Sequence, residues 1–276
     1  MPFLAAAVQM TSTMDIPRNL ATAERLIEKA AARGATLIGL PENFAFMGGS
    51  DAERLQGAEP LDGPIIQGFA RVAQRLKVTV CLGGFPEKSA HPQQPYNTHV
   101  VLGPDGAILA RYRKIHLFDV ELADGSVHKE SRHTTGGEDV VTVNLPAPLD
   151  ATLGLSVCYD LRFPELYRAL AARGARVMLV PAAFTLHTGK DHWEILLRAR
   201  AIENLCYVMA PAQHGKHNDK RATWGKAMVV DPWGGVVARC SDREDVCVAE
   251  IDLGYAADLA RGLPCLSHRR RELTGY

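Results

Sequence analysis

No apolar run in the sequence approaches the length of a bilayer span; the longest, such as Val177 to Phe184, suit a buried strand. The opening Met1-Pro-Phe-Leu-Ala-Ala-Ala-Val-Gln-Met lacks a basic region ahead of its apolar residues and reads as a first buried strand rather than a secretion signal. An excess of either charge is missing too. The 31 basic and 31 acidic residues give a formal net charge of +0, so nucleic acid and anionic membrane are not expected partners and no net repulsion opposes self-association. Cysteine is scarce, with six residues at irregular intervals and no CxxC, which predicts free thiols and a cytoplasmic setting. There is no GxGxxG after a strand, no Walker-type phosphate loop and no GxSxG nucleophile elbow, so dinucleotide binding, phosphate-loop and serine-hydrolase chemistry have no support. His187, His192 and the His214-Gly-Lys-His217 run lack cysteine or carboxylate partners at metal-ligand spacing and read as solvated loop histidines. Arg269 to Arg271 read as a surface or subunit contact.

What is present is an ordinary globular composition, 47% hydrophobic and 22% charged, arranged with internal repetition. Ala31-Ala-Arg-Gly-Ala-Thr-Leu-Ile-Gly-Leu-Pro41 matches Ala171-Ala-Arg-Gly-Ala-Arg-Val-Met-Leu-Val-Pro181, each a helix end, a Gly cap, a short buried strand and a proline. Leu102 to Arg111 matches Val230 to Arg239, each a strand, a Pro/Gly turn and a second strand. The two units recur in the same order, which favours a duplicated α/β half over chance similarity. Helices are expected over Arg18 to Arg33, Pro64 to Leu76, Pro164 to Arg173 and His192 to Asn204. Further strands are expected over Val78 to Gly83, Asn97 to Leu102, Ala151 to Cys158 and Cys206 to Pro211. No Ser/Gly-rich linker separates the halves, so residues 1–276 read as one α/β domain with two helix-covered sheets.

Three positions could carry chemistry. Cys158 stands where a buried strand turns into a helix start, a place that exposes a thiol and favours thiolate; the competing reading is a structural cysteine. Glu42 follows a buried strand directly, where poor solvation suits a general base; the competing reading is a solvated strand end. The matching place in the second repeat is Ala182. Lys114 ends the second strand of the first hairpin. Alternation alone does not decide which of Arg111, Arg113 and Lys114 points inward, but an inward lysine beside a cysteine could stabilise an oxyanion.

In this order, Leu40-Pro-Glu-Asn, Tyr112-Arg-Lys-Ile-His-Leu-Phe-Asp and Ser156-Val-Cys-Tyr-Asp-Leu-Arg-Phe-Pro-Glu resemble the glutamate, lysine and cysteine motifs of the nitrilase, or carbon–nitrogen hydrolase, superfamily. The resemblance runs from Ala6 to Leu273 and implies an α-β-β-α sandwich of two pseudo-repeated halves, commonly paired as dimers. It also implies a second glutamate before a serine, here Glu130-Ser131; Glu121 and Glu138 lack that context. Phe184-Thr, His192-Trp-Glu, Leu197-Arg-Ala-Arg-Ala-Ile-Glu and Val229-Val-Asp-Pro-Trp-Gly resemble the branch of deaminated-glutathione amidases, with the omega-amidases of 2-oxoglutaramate as the sister alternative. Thr223-Trp-Gly-Lys226 departs from the Ser/Tyr-Gly-His type of sequence expected there, which touches the outer pocket.

The resemblance implies a cysteine-dependent amidase working through a thioester, with a small carboxylated amide and water as partners and no metal or organic cofactor. Glu42 would be the base, Cys158 the nucleophile, Lys114 and the Tyr159 backbone N–H the oxyanion donors, and Glu130 the positioning acid. Arg162, four residues after the cysteine, would hold a substrate carboxylate or else a structural ion pair, and Phe184 and Thr185 would line the pocket. A nitrilase or a non-catalytic scaffold of the same fold are the remaining alternatives.

Overall fold

A computed structural model describes residues 1–48, 55, 57–121 and 127–274. The first half of the chain runs β1 (Phe3–Met10), α1 (Ile16–Ala32), β2 (Leu37–Leu40), α2 (Pro64–Leu76), β3 (Thr79–Glu87), β4 (Tyr96–Leu102) and β5 (Ile108–Arg113). A small ribbon of β6 (Asp119–Glu121) and β7 (Val127–Lys129) and a one-turn 3₁₀ helix (Glu130–Arg132) lead to β8 (Thr142–Asn144). The second half runs β9 (Thr152–Leu155), a 3₁₀ turn (Cys158–Arg162), α3 (Pro164–Ala172), β10 (Val177–Leu179), α4 (Leu186–Asn204) and β11 (Tyr207–Ala210). It continues through β12 (Ala212–Lys216), β13 (Ala222–Trp224), β14 (Met228–Val230), β15 (Val236–Arg239), β16 (Asp245–Ile251) and α5 (Leu253–Gly262).

Helix ends follow local chemistry. Asp15 caps α1 by accepting from Arg18 N at 3.0 Å, with Pro17 in the first turn, so the helix starts earlier than Arg18. Thr185 caps α4, its Oγ1 facing Thr188 N, so this helix starts six residues before His192. Gly34 (φ +85°) and Gly174 (φ +92°) end the two repeated helices in the left-handed region, as the repeated Arg-Gly signal predicts.

The strands form two large sheets. In one, β1, β2 and β3 run parallel and β4 and β5 fold back antiparallel; in the other, β9, β10 and β11 run parallel and β14 and β15 fold back. The sequence repeat is therefore a structural repeat, including the second strand pair, whose turns carry Gly106 and Gly234 at φ +82° and +89°. On β1 the side chains alternate. Ala6, Val8 and Met10 pack with Leu26 and Ile27 of α1 and Phe69 of α2, while Phe3, Ala5 and Ala7 belong to the core shared with Leu153, Val177 and Met209 of the opposite sheet. With α3 and α4 on the far face of the second sheet, the layers read α-β-β-α. Among the described residues no helix is long and apolar enough to cross a membrane.

One connection breaks the repeat in a way that matters for function. After β11 the chain leaves its own sheet, and β12 pairs parallel with β1, with Gln9 opposite Ala212 and Met10 opposite Gln213. This crossing carries Gln213 and the following loop to the end of the sandwich where β2 and β9 also finish.

Candidate active site

The parallel strands of both sheets point their C-terminal ends into one cleft of about 990 Å³, the usual place for a ligand in an open α/β sheet. Glu42, Lys114, Glu130 and Cys158 meet at its floor.

Glu42 comes directly off β2 and is only 4% exposed. Its Oε1 accepts from Asn97 Nδ2 at 2.9 Å and Lys114 Nζ at 3.2 Å, and its Oε2 from Ala183 N at 3.1 Å. Its backbone oxygen accepts from Gln213 Nε2 at 3.0 Å. Gly84, at φ +74°, closes the back of this seat: a Cβ there would lie 2.7 Å from Asn97 Oδ1 and 3.1 Å from Glu42 Cγ. Lys114 is the inward member of the Arg111–Arg113–Lys114 group, with 2% of its side chain exposed. It is clamped between Glu42 and Glu130, whose Oε2 lies 2.8 Å from Nζ and also accepts from Phe118 N at 2.7 Å. Burial by itself would lower the Lys114 pKa, but the charges of Glu130 and Glu42 and the hydrogen bond to Glu130 outweigh it and the net shift is upward, so this side chain stays an ammonium.

Cys158 opens the 3₁₀ turn at φ +50°, an unfavourable conformation for a residue with a Cβ, and its N–H donates to Pro181 O at 2.9 Å. The thiol stands near enough to the Glu42 carboxylate and the Ala183 N–H for both to bear on its ionisation. Burial, then the Glu42 charge, push its pKa well above the usual thiol range, against the smaller opposing pull of Lys114. The resting group is therefore a thiol. The helix start that can favour thiolate does not prevail here: one 3₁₀ turn beside a carboxylate does not offset desolvation.

Some residues of this floor are not singled out by the sequence. Asn97, on β4, donates to both Glu42 and Glu130 (3.3 Å to Glu130 Oε1) and so fixes the spacing of the two acids. Asp160 is fully buried and holds the nucleophile corner to the lysine segment. It accepts from Val157 N at 2.8 Å, Tyr112 Oη at 2.6 Å and His116 N at 3.1 Å, and lies 2.7 Å from His116 Nδ1. The Asp in Cys-Tyr-Asp was the available hint, but only the fold shows that it reaches back across to 112 and 116. The Ala183 N–H is a backbone group and carries no residue signature at all.

The remaining expected positions lie around this floor. Among the described residues the Tyr159 N–H has no acceptor, as the first free donor of the 3₁₀ turn. Arg162, Phe184 and Thr185 line the cleft. The Arg162 guanidinium lies 5.7 Å above the Phe184 ring and 3.4 Å from His192 Nδ1, and it has no carboxylate partner among the described residues, so the structural ion pair is not formed. Of Thr223-Trp-Gly-Lys226 only Thr223 faces the cleft; Trp224 packs on α4 at Gly189, and Lys226 pairs with Asp242 at 2.6 Å. The departure in that segment therefore bears on the pocket through one hydroxyl. His217, expected in solvent, is buried. Its Nδ1 meets Ser12 O and its Nε2 meets Thr223 Oγ1, both at 2.7 Å, and burial pulls its pKa down to about 4.

A half-buried thiol beside a carboxylate, an ammonium and two backbone N–H groups can attack an electrophilic carbon, move its proton and stabilise an oxyanion, without a further group. Comparison with known proteins agrees with this chemistry. A family model described as carbon–nitrogen hydrolase matches residues 4–261. The chain is 47% identical over 269 residues to a deaminated glutathione amidase of Synechocystis sp., covering 97% of this chain and 98% of that protein. It is 47% identical over 276 residues to the deaminated glutathione amidase of Homo sapiens, covering 99% of this chain and 84% of that protein. The crystal structure of Saccharomyces cerevisiae Nit3, a member of branch 10 of the nitrilase superfamily, superposes with a TM-score of 0.85 at 30% identity, covering 95% of this chain and 94% of that one.

Proposed function

The chain belongs to the carbon–nitrogen hydrolase family, and from that premise we propose that it hydrolyses the side-chain-type amide of deaminated glutathione through a thioester on Cys158. The observation that carries the mechanism is the setting of one carboxylate: Glu42 binds the ammonium of Lys114 and the Ala183 N–H, and its charge acts on the Cys158 thiol. The substrate rests on the two amidases that match this chain at 47% identity.

Deaminated glutathione carries a 2-oxo acid on one side of its amide and cysteinylglycine on the other. Glu42 takes the proton of the Cys158 thiol as sulfur bonds to the amide carbon. The oxyanion so formed is held by Lys114 and the Tyr159 N–H. As the carbon–nitrogen bond breaks, the Glu42 carboxyl returns its proton to the leaving nitrogen, and free cysteinylglycine departs. Glu42 then takes a proton from water, the hydroxide attacks the thioester, and the second tetrahedral species expels the thiolate, which recovers the proton. The products are 2-oxoglutarate and cysteinylglycine. A thiol held neutral at rest suits this cycle, since the base acts only when the electrophile is present. Glu130 and Asn97 keep Lys114 and Glu42 in register, and Arg162 is placed to pair with the 2-oxo acid carboxylate. Exposed Ile195, Ile202, Trp233 and Val237 support self-association as a homodimer, which light scattering on the purified protein checks.

The test is release of 2-oxoglutarate, a product common to deaminated glutathione and 2-oxoglutaramate, measured on both substrates. A higher kcat/KM for deaminated glutathione is the expected result. The reverse order moves the protein to the omega-amidase reaction.

A further inference from the structure

The cleft is far larger than its catalytic floor requires. Its volume of about 990 Å³ stands at the upper end of the ~300–1,000 Å³ typical of drug-sized ligands, and a five-carbon amide would fill a small part of it. Its charge is also uneven. On the floor Lys114 is balanced by Glu42 and Glu130. Among the described residues the outer walls carry Lys129, Arg132, Lys216, Lys220 and Arg221, against one acid beyond the floor, Asp219, which pairs with Lys216 at 2.9 Å. Lys220 and Arg132 are exposed and have no carboxylate partner among the described residues. Cations of one sign around a concave mouth set up a field that draws an anion.

We propose that this outer half is a subsite for a second carboxylate, the one that ends the leaving amine, and that Arg132 and Lys220 read it. The inference rests on the reading that the substrate is deaminated glutathione. That molecule has two carboxylates. The 2-oxo acid carboxylate travels with the acyl group and is shared with 2-oxoglutaramate. The glycine carboxylate lies at the far end of the amine half and is absent from 2-oxoglutaramate. A cleft built for the acyl half alone would have no use for outer cations, whereas a dipeptide leaving group extends away from Cys158 and ends in a charge of the opposite sign. Since the amine departs when the thioester forms, this subsite acts on binding and acylation and has no part in deacylation.

The test compares the wild-type protein with the Arg132→Gln/Lys220→Gln double variant, which removes two exposed charges not used in the fold. Steady-state 2-oxoglutarate release is measured on deaminated glutathione, on its glycine carboxamide analogue and on 2-oxoglutaramate. The ratio of kcat/KM for deaminated glutathione over 2-oxoglutaramate should fall about tenfold in the variant, the scale of two solvent-screened charge pairs. The carboxamide analogue, which lacks the charge, should show no such fall. High salt should lower the wild-type ratio in the same direction. An unchanged ratio, or an equal fall with the carboxamide, overturns the subsite while leaving the amidase reading intact. Wild-type turnover of 2-oxoglutaramate but not of deaminated glutathione overturns the reading, and the subsite with it.

Discussion

The two halves share a frame and differ at three strand ends. Where β2 gives way to Pro41-Glu42, β10 gives way to Pro181-Ala182, so the carboxylate exists on one side only. The first half's folded-back strands β4 and β5 end in Lys114, with 2% of its side chain exposed, while the matching position after β15 is Asp242, 69% exposed. Conversely, the first strand of the second half ends in Cys158 at φ +50°, whereas β1 runs on into Thr11 and Ser12. One half thus supplies the acid, the amide and the ammonium, and the other supplies the thiol and the Ala183 N–H. The difference teaches that the repeat provides position and the divergent strand ends provide chemistry. The β12 crossing locks the halves together, with Gln213 bound to Glu42 O and to Ser12 Oγ at 2.7 Å.

Several changes would break or sharpen this contrast. Glu42→Gln keeps the size of the side chain but turns one accepting oxygen into a donor and removes the proton acceptor, and should lower kcat by roughly 10³-fold or more in a 2-oxoglutarate assay. Lys114→Met should cost about 10²–10³-fold in kcat, whereas Asp242→Asn at the matching place should change it by less than about twofold. Asp160→Asn replaces an acceptor that serves Val157, Tyr112 and His116, and should reduce stability by roughly 3 kcal/mol in urea unfolding, with kcat falling because the thiol and ammonium segments separate. The smallest expected effect concerns His99 on β4, whose equivalent position in the sequence repeat is Ala227. Burial holds its pKa at about 4, below the ordinary 6.5. The folded value being the lower one, its contribution is present above about pH 6.5 and is lost as pH falls toward 4. Between pH 7 and 5 the wild type should lose about 2 kcal/mol more than His99→Asn, measured by urea unfolding at the two pH values.

The α/β layering was legible in the sequence because buried strands and amphipathic helices leave local signatures, and the Arg-Gly and Pro/Gly repeats marked matching caps and turns. Glu42 and Cys158 were visible as polar groups at the ends of apolar strands. Lys114 was not separable from Arg111 and Arg113 by alternation, since it lies just beyond the strand and is turned inward by Asn97 O and Gly137 N, at 2.9 and 2.8 Å. Asn97, Asp160 and Gln213 act across 33 to 201 residues of separation, a range that no local pattern encodes. His217 looked like a loop histidine because its partners, Ser12 and Thr223, come together only through the β12 crossing.

The central claim is an acyl-enzyme on Cys158. The most direct measurement is rapid-quench mass spectrometry of the protein mixed with deaminated glutathione, with hydroxylamine added in parallel to divert the thioester. The account predicts a 2-oxoglutaryl adduct mapped to the peptide containing Cys158, conversion of product to the hydroxamate, and neither with Cys158→Ala. Continued release of 2-oxoglutarate by Cys158→Ala, or turnover by the wild type with no adduct and no hydroxamate, would contradict it.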